Sequence, residues 1–186
     1  MDIAGWERMY HSGERGWEDA PTRLLVETAA KLNPGTAIDL ACGSGRNSLF
    51  LAQRGWTVTA IDGSPTAIKL LENRAAERGL LITTEVADLK SLDFALPANA
   101  FDLVVIAYYL QRDLFAKLEG TLKSSGVVLA IVHTPERGEP PNDKRAAPGE
   151  LRTLFAGWEI LHYYEGASRD PAHRRPVAEI VARCNE

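Results

Sequence analysis

The segment Ala37-Ile-Asp-Leu-Ala-Cys-Gly-Ser-Gly-Arg-Asn47 constrains the fold more than any other part of the chain. Its apolar run contains Asp39 and is followed by two glycines and a helix-forming stretch. Such a pattern is typical of a buried strand, a tight turn and a helix, the repeating unit of parallel sheets. Glycine at positions 43 and 45 lets the backbone turn sharply and leaves room for a ligand to approach.

The same alternation of strand and helix continues along the chain. The Ser64-Pro65 pair predicts a helix start, because serine can cap free amides and proline fits the first helical position. The apolar run 101–106 predicts a central parallel strand that is covered on both faces. We predict the other strands at 37–41, 57–61, 81–86 and 127–132, and helices at 21–32, 46–55, 64–79, 111–123 and 150–155.

The end of the chain departs from this pattern. Segments 158–164 and 177–183 read as strands that lie too close in sequence for a crossover helix, so they should pair antiparallel. The expected fold class is therefore α/β: a Rossmann-like, doubly wound, mostly parallel seven-stranded sheet with a C-terminal antiparallel hairpin. We expect one domain over 1–186, with cap helices (1–33), a cofactor-binding core (36–132), a flexible loop (135–148) and the hairpin (158–183).

Composition excludes several classes of partner. A net charge of -4 over 186 residues offers no basic face for nucleic acid. No run approaches the roughly 20 apolar residues of a membrane span, and charged residues scattered through the first twenty positions leave no signal-peptide core. Cys42 and Cys184 are too far apart in sequence to suggest a metal or redox pair. We expect a cytoplasmic protein, and the oligomeric state stays open.

Three acidic residues lie near the ends of predicted strands, where open parallel sheets bind ligands. Asp39 just before the glycine turn suits a ligand with a cationic amine rather than a pyrophosphate, and Ser48 stands where a dinucleotide fingerprint has its third glycine. These features favour S-adenosylmethionine. Asp62 could accept both ribose hydroxyls, and Asp88 could accept the adenine amino group while Leu89 donates its backbone amide to the ring.

Each acidic residue also has a purely structural alternative. Asp39 could be a buried carboxylate that caps the amides of the turn. Asp62 could be a charge near the amino end of the helix that begins at Ser64, which the helix dipole favours. Asp88 could be an ordinary loop residue.

The motifs Asp39-Leu-Ala-Cys-Gly-Ser-Gly, Ala87-Asp-Leu89 and Phe101-Asp-Leu-Val-Val resemble those of the class I S-adenosylmethionine-dependent methyltransferases. Gly45-Arg-Asn-Ser-Leu-Phe-Leu-Ala and the tail from Gly149 are similar to small bacterial tellurite-resistance-type methyltransferases. The segment Gly166-Ala-Ser-Arg-Asp170 departs from the Glu-Leu-His run of those enzymes, so the resemblance leaves the acceptor unassigned. The cofactor-binding residues expected on these grounds are Asp39, Ala41, Cys42, Gly43, Gly45, Asn47, Asp62, Gly63, Ser64, Asp88, Leu89 and Ala107.

Aromatic residues are the candidates for the acceptor pocket. Tyr108 and Tyr109 follow the fourth strand, and Tyr10 and Trp17 lie in the amino-terminal segment. They could shield a sulfonium by cation–π attraction, or they could simply cover the sheet ends. No base stands out in the sequence, which favours a small acceptor with a soft sulfur, selenium or tellurium nucleophile.

Two further readings of the function remain. An NAD-dependent oxidoreductase would use the same kind of fold, and a non-catalytic S-adenosylmethionine-binding module would keep the pocket without turnover. His11, His133 and His162 show no ligand spacing, so we predict no metal. The catalytic residues are unassigned.

Overall fold

The computed structural model describes residues 2–13 and 19–185. They include seven strands: β1 (Thr36–Leu40), β2 (Thr57–Asp62), β3 (Thr83–Val86), β4 (Phe101–Ala107), β5 (Leu122–His133), β6 (Glu159–Gly166) and β7 (Val177–Arg183). These strands form one sheet in the order β3-β2-β1-β4-β5-β7-β6. This order confirms the predicted fold class. The residues form two compact units, 1–95 and 96–186, which are described separately. The organisation as one domain with the four expected segments stays a prediction.

The first unit alternates helices with three parallel strands. β1 pairs with β2, placing Asp39 opposite Ala60, and β2 pairs with β3, placing Asp62 opposite Val86. Both aspartates therefore lie at or near the carboxyl ends of adjacent strands. The elements are α1 (Ile3–Ser12), α2 (Arg23–Ala29), β1 (Thr36–Leu40), α3 (Arg46–Gln53), β2 (Thr57–Asp62), α4 (Pro65–Glu77) and β3 (Thr83–Val86).

Helix α4 begins as its sequence predicts. Ser64 is the N-cap, its Oγ accepts a hydrogen bond from the Ala67 amide at 3.0 Å, and proline occupies the first turn. The helix buries Ala67, Ile68, Leu71 and Ala75, while Leu70 is only half-buried.

The second unit contains the central strand and the antiparallel end of the sheet. Leu103 to Ile106 are all fully buried, as predicted for a strand covered on both faces. Ala107 lies opposite Ile131, and His133 opposite Val177. The elements are β4 (Phe101–Ala107), α5 (Arg112–Phe115), α6 (Leu118–Thr121), β5 (Leu122–His133), α7 (Glu150–Leu154), β6 (Glu159–Gly166) and β7 (Val177–Arg183).

The predicted single helix over 111–123 is wrong. The structure has two four-residue helices there, and β5 already begins at Leu122. Gly120 and Thr121 are poor helix formers, and Leu122 pairs with Phe101 in the sheet. Sheet pairing therefore competes successfully with helix propagation.

The segment 135–148 forms no helix or named strand, as expected for a loop. Several contacts connect it to the rest of its unit. Arg112 donates to the Asn142 carbonyl at 3.1 Å, Arg175 lies 2.9 Å from Glu139, and Ala146 is fully buried. The flexibility of this loop stays a prediction.

Among the described residues, no helix has both the length and the apolar character needed to cross a bilayer.

The aromatic cluster around Phe155, the residue at the end of α7, provides a test of the core packing. Phe155 is 2% exposed and meets Phe115 and Trp158 edge to face, with ring centroids 5.7 and 5.3 Å away. Phe155→Ala should lower the free energy of unfolding by about 3–5 kcal/mol, because the cavity cannot collapse fully. Leu92→Ala, at a fully exposed position, is the control and should change it by less than about 0.5 kcal/mol. Urea denaturation measures both, and equal effects would contradict the packing.

Candidate functional site

The turn between β1 and α3 is built from residues with positive φ. Ala41 has φ +56°, Gly43 +56° and Gly45 +82°. The Cys42 amide donates to the Ile61 carbonyl at 3.0 Å, and the Gly45 amide to the Cys42 carbonyl at 3.1 Å. The turn is thereby tied to the next strand. Ala41 lacks glycine's freedom at this angle, which marks the turn as strained.

The two glycines serve close packing as well as the turn. A Cβ on Gly45 would lie 2.2 Å from Leu71 Cδ1, so glycine is needed for α3 to begin against α4. A Cβ on Gly43 would lie 2.5 Å from the Tyr10 hydroxyl. Tyr10, a candidate residue of the acceptor pocket, therefore lies directly against the turn.

Asp39 is a buried carboxylate with one hydroxyl partner. It is 1% exposed, and its Oδ2 accepts from Ser48 Oγ at 2.6 Å. Burial raises the pKa of Asp39 to about 7, and repulsion by Asp62 adds to the effect, while the Ser48 hydrogen bond and Arg46 oppose it. Ser48, which replaces the third glycine of a dinucleotide fingerprint, is thus Asp39's partner.

Asp62 binds two backbone amides at the end of β2. Its Oδ2 accepts from the Gly43 amide at 2.8 Å, and its Oδ1 from the Ser64 amide at 2.9 Å. Burial raises its pKa, and these hydrogen bonds oppose the rise. A carboxylate has about four lone-pair directions, so both oxygens retain capacity for a further donor.

Helix α1 contacts this region through Glu7. The Glu7 carboxylate accepts hydrogen bonds from Ser64 Oγ, Thr66 Oγ1 and the Thr66 amide, which lower its pKa. These groups lie at the amino end of α4, where the helix dipole favours an anion. A Cβ on Gly63 would lie 2.8 Å from Ile3 of the same helix. Sequence reasoning missed Glu7, because nothing in the sequence links it to a helix start 57 residues later.

Asn47, Ser64 and Cys42 have structural contacts of their own. Asn47 is buried, and its Oδ1 accepts from the Thr22 amide at 2.9 Å. Ser64 caps α4. Burial, with the nearby Asp39 and Asp62, raises the pKa of the Cys42 thiol, which keeps it protonated. Their predicted roles in cofactor binding stay predictions.

Asp88 and Leu89 follow β3 and differ in exposure. Asp88 is exposed, and its Oδ1 accepts from the Lys90 amide at 2.9 Å, while Leu89 is buried. Asp88 therefore has the turn contact of an ordinary loop aspartate. Its side chain can still meet a ligand from the solvent side.

In the second unit, Ala107 ends β4 and is followed by two tyrosines. Tyr108 has φ +63°, a rare conformation for an aromatic residue. Its hydroxyl donates to Asp170 Oδ2 at 3.0 Å, and the Tyr109 hydroxyl donates to Gln111 Oε1 at 2.7 Å. Strained residues of this kind cluster at functional sites.

Tyr108 belongs to a cluster that the sequence did not reveal. His173 stacks on its ring with a centroid distance of 3.4 Å and an interplanar angle of 4°. His173 Nδ1 lies 3.3 Å from His133 Nε2. The antiparallel pairing of β5 with β7 brings these histidines together across 40 positions of sequence, and a search for local ligand spacing cannot detect such a pair.

The segment 169–175, which precedes β7, contains three arginines, and the first of them is paired with a carboxylate. Arg169 lies 2.6 Å from Glu179, which is 4% exposed, and His162 lies 3.6 Å from the same carboxylate. Within residues 2–13 and 19–185, no three His, Cys, Asp or Glu side chains converge as a metal site would require. Trp17, the remaining acceptor candidate, lies outside the described residues.

Comparison with known proteins shows the family of the chain. The family model described as tellurite resistance protein TehB matches residues 14–174. The chain belongs to the TehB family. The resemblance to this family that the sequence motifs indicated is thereby confirmed.

A relative from the same family is similar in sequence to this chain. The probable S-adenosyl-L-methionine-dependent methyltransferase TehB of Haemophilus influenzae strain Rd is 26% identical over 148 residues, covering 76% of this chain and 52% of that protein. The chain therefore spans about half the length of this relative.

Structural similarity extends over nearly the whole chain. The crystal structure of TehB from Haemophilus influenzae has a TM-score of 0.77 at 24% identity, covering 97% of this chain and 67% of that one. The Burkholderia thailandensis 1,6-didemethyltoxoflavin-N1-methyltransferase, solved with S-adenosylhomocysteine bound, has a TM-score of 0.73 at 18% identity, covering 99% and 87%. At these identities the likeness shows the fold.

The raised pKa of Asp39 gives the stability of the TehB-family chain a pH dependence. Between about pH 4 and 7 the folded state holds a proton that the unfolded chain has released, so the free energy of unfolding falls as pH rises. The slope from this one group is at most about 1.4 kcal/mol per pH unit, and it ends above pH 7.

Asp39→Asn cannot titrate and keeps an oxygen for Ser48. Urea denaturation at pH 5 and pH 7.5 should show the variant gaining stability relative to the wild type as pH rises. Asp62 is present in both proteins, so its own titration largely cancels in the difference. A difference that is the same at both pH values would contradict the pKa assignment.

Proposed function

We propose that the chain is an S-adenosylmethionine-dependent methyltransferase whose acceptor is a small molecule with a soft sulfur, selenium or tellurium nucleophile. The observation that carries the cofactor assignment is the pair of carboxylates, Asp39 and Asp62, at the ends of adjacent parallel strands. Burial raises the pKa of both. A cationic or hydroxyl-bearing ligand would stabilise their ionised forms, whereas a pyrophosphate would repel them.

The donor and acceptor groups of this turn fit the nucleoside and its amino acid part. Asp39 and the Gly43–Gly45 turn would hold the methionine part, Asp62 the ribose hydroxyls, and Asp88 with Leu89 the adenine. When bound, S-adenosylmethionine supplies a methyl group on a sulfonium, whose leaving group needs no protonation. The role of this chain is then to orient the acceptor behind the methyl carbon, and good orientation is worth about 7–11 kcal/mol.

Two arguments support a soft acceptor: the description of the matched family, and the little catalytic help that a soft nucleophile needs. The matched family is described as tellurite resistance protein, and a soft nucleophile needs little help beyond orientation. The aromatic side chain of Tyr10, whose hydroxyl lies against Gly43, would cover a sulfonium without competing as a nucleophile. A cytoplasmic location and the absence of nucleic-acid partners remain part of this proposal.

Substitution of Asp62 tests the cofactor assignment. Asp62→Ala should weaken S-adenosylhomocysteine binding at least about tenfold, since a hydrogen bond to a charged acceptor is worth roughly 1.5–3 kcal/mol. Asp62→Asn keeps the side-chain shape and can keep one of the two turn hydrogen bonds, while it removes the charge. Asp93→Ala, at an exposed aspartate, is the control. Isothermal calorimetry measures all three, and unchanged affinity in Asp62→Ala would refute the ribose role.

Two binding and turnover measurements separate the rival functions. Fluorescence titration should show binding of S-adenosylhomocysteine and none of NADH; the reverse result would indicate an NAD-dependent oxidoreductase. An acceptor screen with tellurite, selenite and aryl thiols should release S-adenosylhomocysteine. Cofactor binding without any turnover would indicate a non-catalytic binding module.

A further inference from the structure

The guanidinium of Arg74 reaches the glycine turn from α4 and is not among the groups that would contact the cofactor. We propose that Arg74 is a positioning residue. It fixes the peptide between Ser44 and Gly45, so that the turn keeps the backbone that holds the methionine part of the cofactor. This inference rests on the proposed function and adds a residue to its site. All the residues involved lie in the first unit.

The contact between Arg74 and Ser44 lies in a largely buried place. Arg74 Nη1 donates to the Ser44 carbonyl at 2.7 Å, and it lies 3.4 Å from Ser44 Oγ. The Arg74 side chain is only 12% exposed. A hydrogen bond from a charged donor is roughly twice as strong as one between neutral groups, and salt screens it little at such a site. The Ser44 carbonyl is therefore held firmly towards α4.

The same peptide is also held at its other end. The Ser44 carbonyl and the Gly45 amide belong to one planar trans peptide, so they point in opposite directions. The Gly45 amide donates to the Cys42 carbonyl at 3.1 Å. Arg74 and Cys42 thus fix the plane of this peptide from both sides.

The peptide needs to be held because a glycine follows it. Gly45 has φ +82° and is the N-cap residue of α3, where no side chain caps the helix. Glycine tolerates a wide range of backbone angles, so rotation of the peptide would meet little resistance from the backbone itself. Rotation would take the Gly45 amide away from Cys42 and alter the turn where α3 begins. The hydrogen bond from Arg74 opposes that rotation.

Asp19 orients the guanidinium for this contact. Its Oδ1 accepts from Arg74 Nη2, and it lies 3.3 Å from Arg78 Nη2. Arg74 and Arg78 are four positions apart at the end of α4, so both reach the same carboxylate. The planar guanidinium of Arg74 presents one nitrogen to Asp19 and the other to Ser44. The ion pair therefore sets the direction of the hydrogen bond to the turn.

The segment 19–22 contacts the start of α3 at two further points. Arg46 Nη1 donates to the Ala20 carbonyl at 3.4 Å, and the Thr22 amide donates to Asn47 Oδ1 at 2.9 Å. The segment thus lies along the turn, and the carboxylate at its first residue stays near α4.

Substitution of Arg74 tests the positioning role. Arg74→Met keeps much of the side-chain volume but has no donor for Ser44 or Asp19. Binding of S-adenosylhomocysteine, measured by isothermal calorimetry, should weaken at least about tenfold, because the turn loses a hydrogen bond from a charged group. Urea denaturation should show that the variant is folded at the temperature of the titration. Unchanged affinity in the folded variant would overturn the proposal.

Arg78→Met is the matched control. It removes an arginine from the same helix and the same carboxylate, but it leaves the contact with Ser44 in place. Its affinity for S-adenosylhomocysteine should change by no more than about threefold, as for a partly exposed ion pair. A loss as large as that of Arg74→Met would show that the pairing with Asp19 governs binding, and it would overturn the role of the Ser44 contact.

Hydrogen exchange separates positioning from a general loss of stability. In Arg74→Met without cofactor, the Gly45 amide should exchange at least about tenfold faster than in the wild type, because its peptide is free to rotate. The Ile68 amide, which donates to the Ser64 carbonyl at 3.1 Å in α4, is the internal reference and should keep nearly its wild-type rate. NMR measures both amides. Equal acceleration of the two amides, or acceleration of neither, would overturn the proposal.

The wild type separates the failure of this inference from the failure of the proposed function. If the wild type and Arg74→Met bind S-adenosylhomocysteine equally well, the positioning role is wrong and the proposed function stands. If the wild type does not bind S-adenosylhomocysteine, the proposed function is wrong and this inference falls with it.

Discussion

Desolvation of two carboxylates is the constraint on which the first unit depends. Asp39 and Asp62 lie on adjacent strands, both with raised pKa. Burying an ionised carboxylate is costly unless hydrogen bonds compensate it. Ser48 Oγ provides this for Asp39, and the amides of Gly43 and Ser64 provide it for Asp62. The glycine turn and the start of α4 are therefore held by the same groups that would meet a cationic ligand.

This arrangement explains why the turn has its particular sequence. Gly45 must lack a side chain because Leu71 occupies that space. Gly43 has a φ of +56°, which glycine adopts without strain, and the Tyr10 hydroxyl lies against it. Glu7 then fixes α1 to the amino end of α4 through Ser64 and Thr66. A residue that caps a helix, a turn that binds a carboxylate and a covering helix thus form one connected polar network.

Much of the fold follows from the sequence because its signals are local. The buried run of β4 and the Ser64-Pro65 helix start each depend on a few consecutive residues, and both were predicted. The helix over 111–123 was predicted wrongly, because the pairing of Leu122 with Phe101 is a contact between segments distant in sequence. Local propensity cannot represent that competition.

The candidate site shows the same division. Asp39, Asp62 and the two glycines are recognisable from their positions relative to strand ends. Contacts across 9, 57 and 40 positions involve Ser48, Glu7 and the His133–His173 pair, and only the folded chain brings them about. Chemistry that arises from register, as between β5 and β7, is therefore the part that sequence patterns miss.

The most direct test of this account is a crystal structure of the protein grown with S-adenosylhomocysteine. We expect the ribose hydroxyls within about 2.6–3.2 Å of the Asp62 carboxylate, and the amino group on the side of the Asp39 carboxylate and the Gly43 turn. Ligand density at another place, or carboxylates of Asp39 and Asp62 that face away from the ligand, would contradict the account.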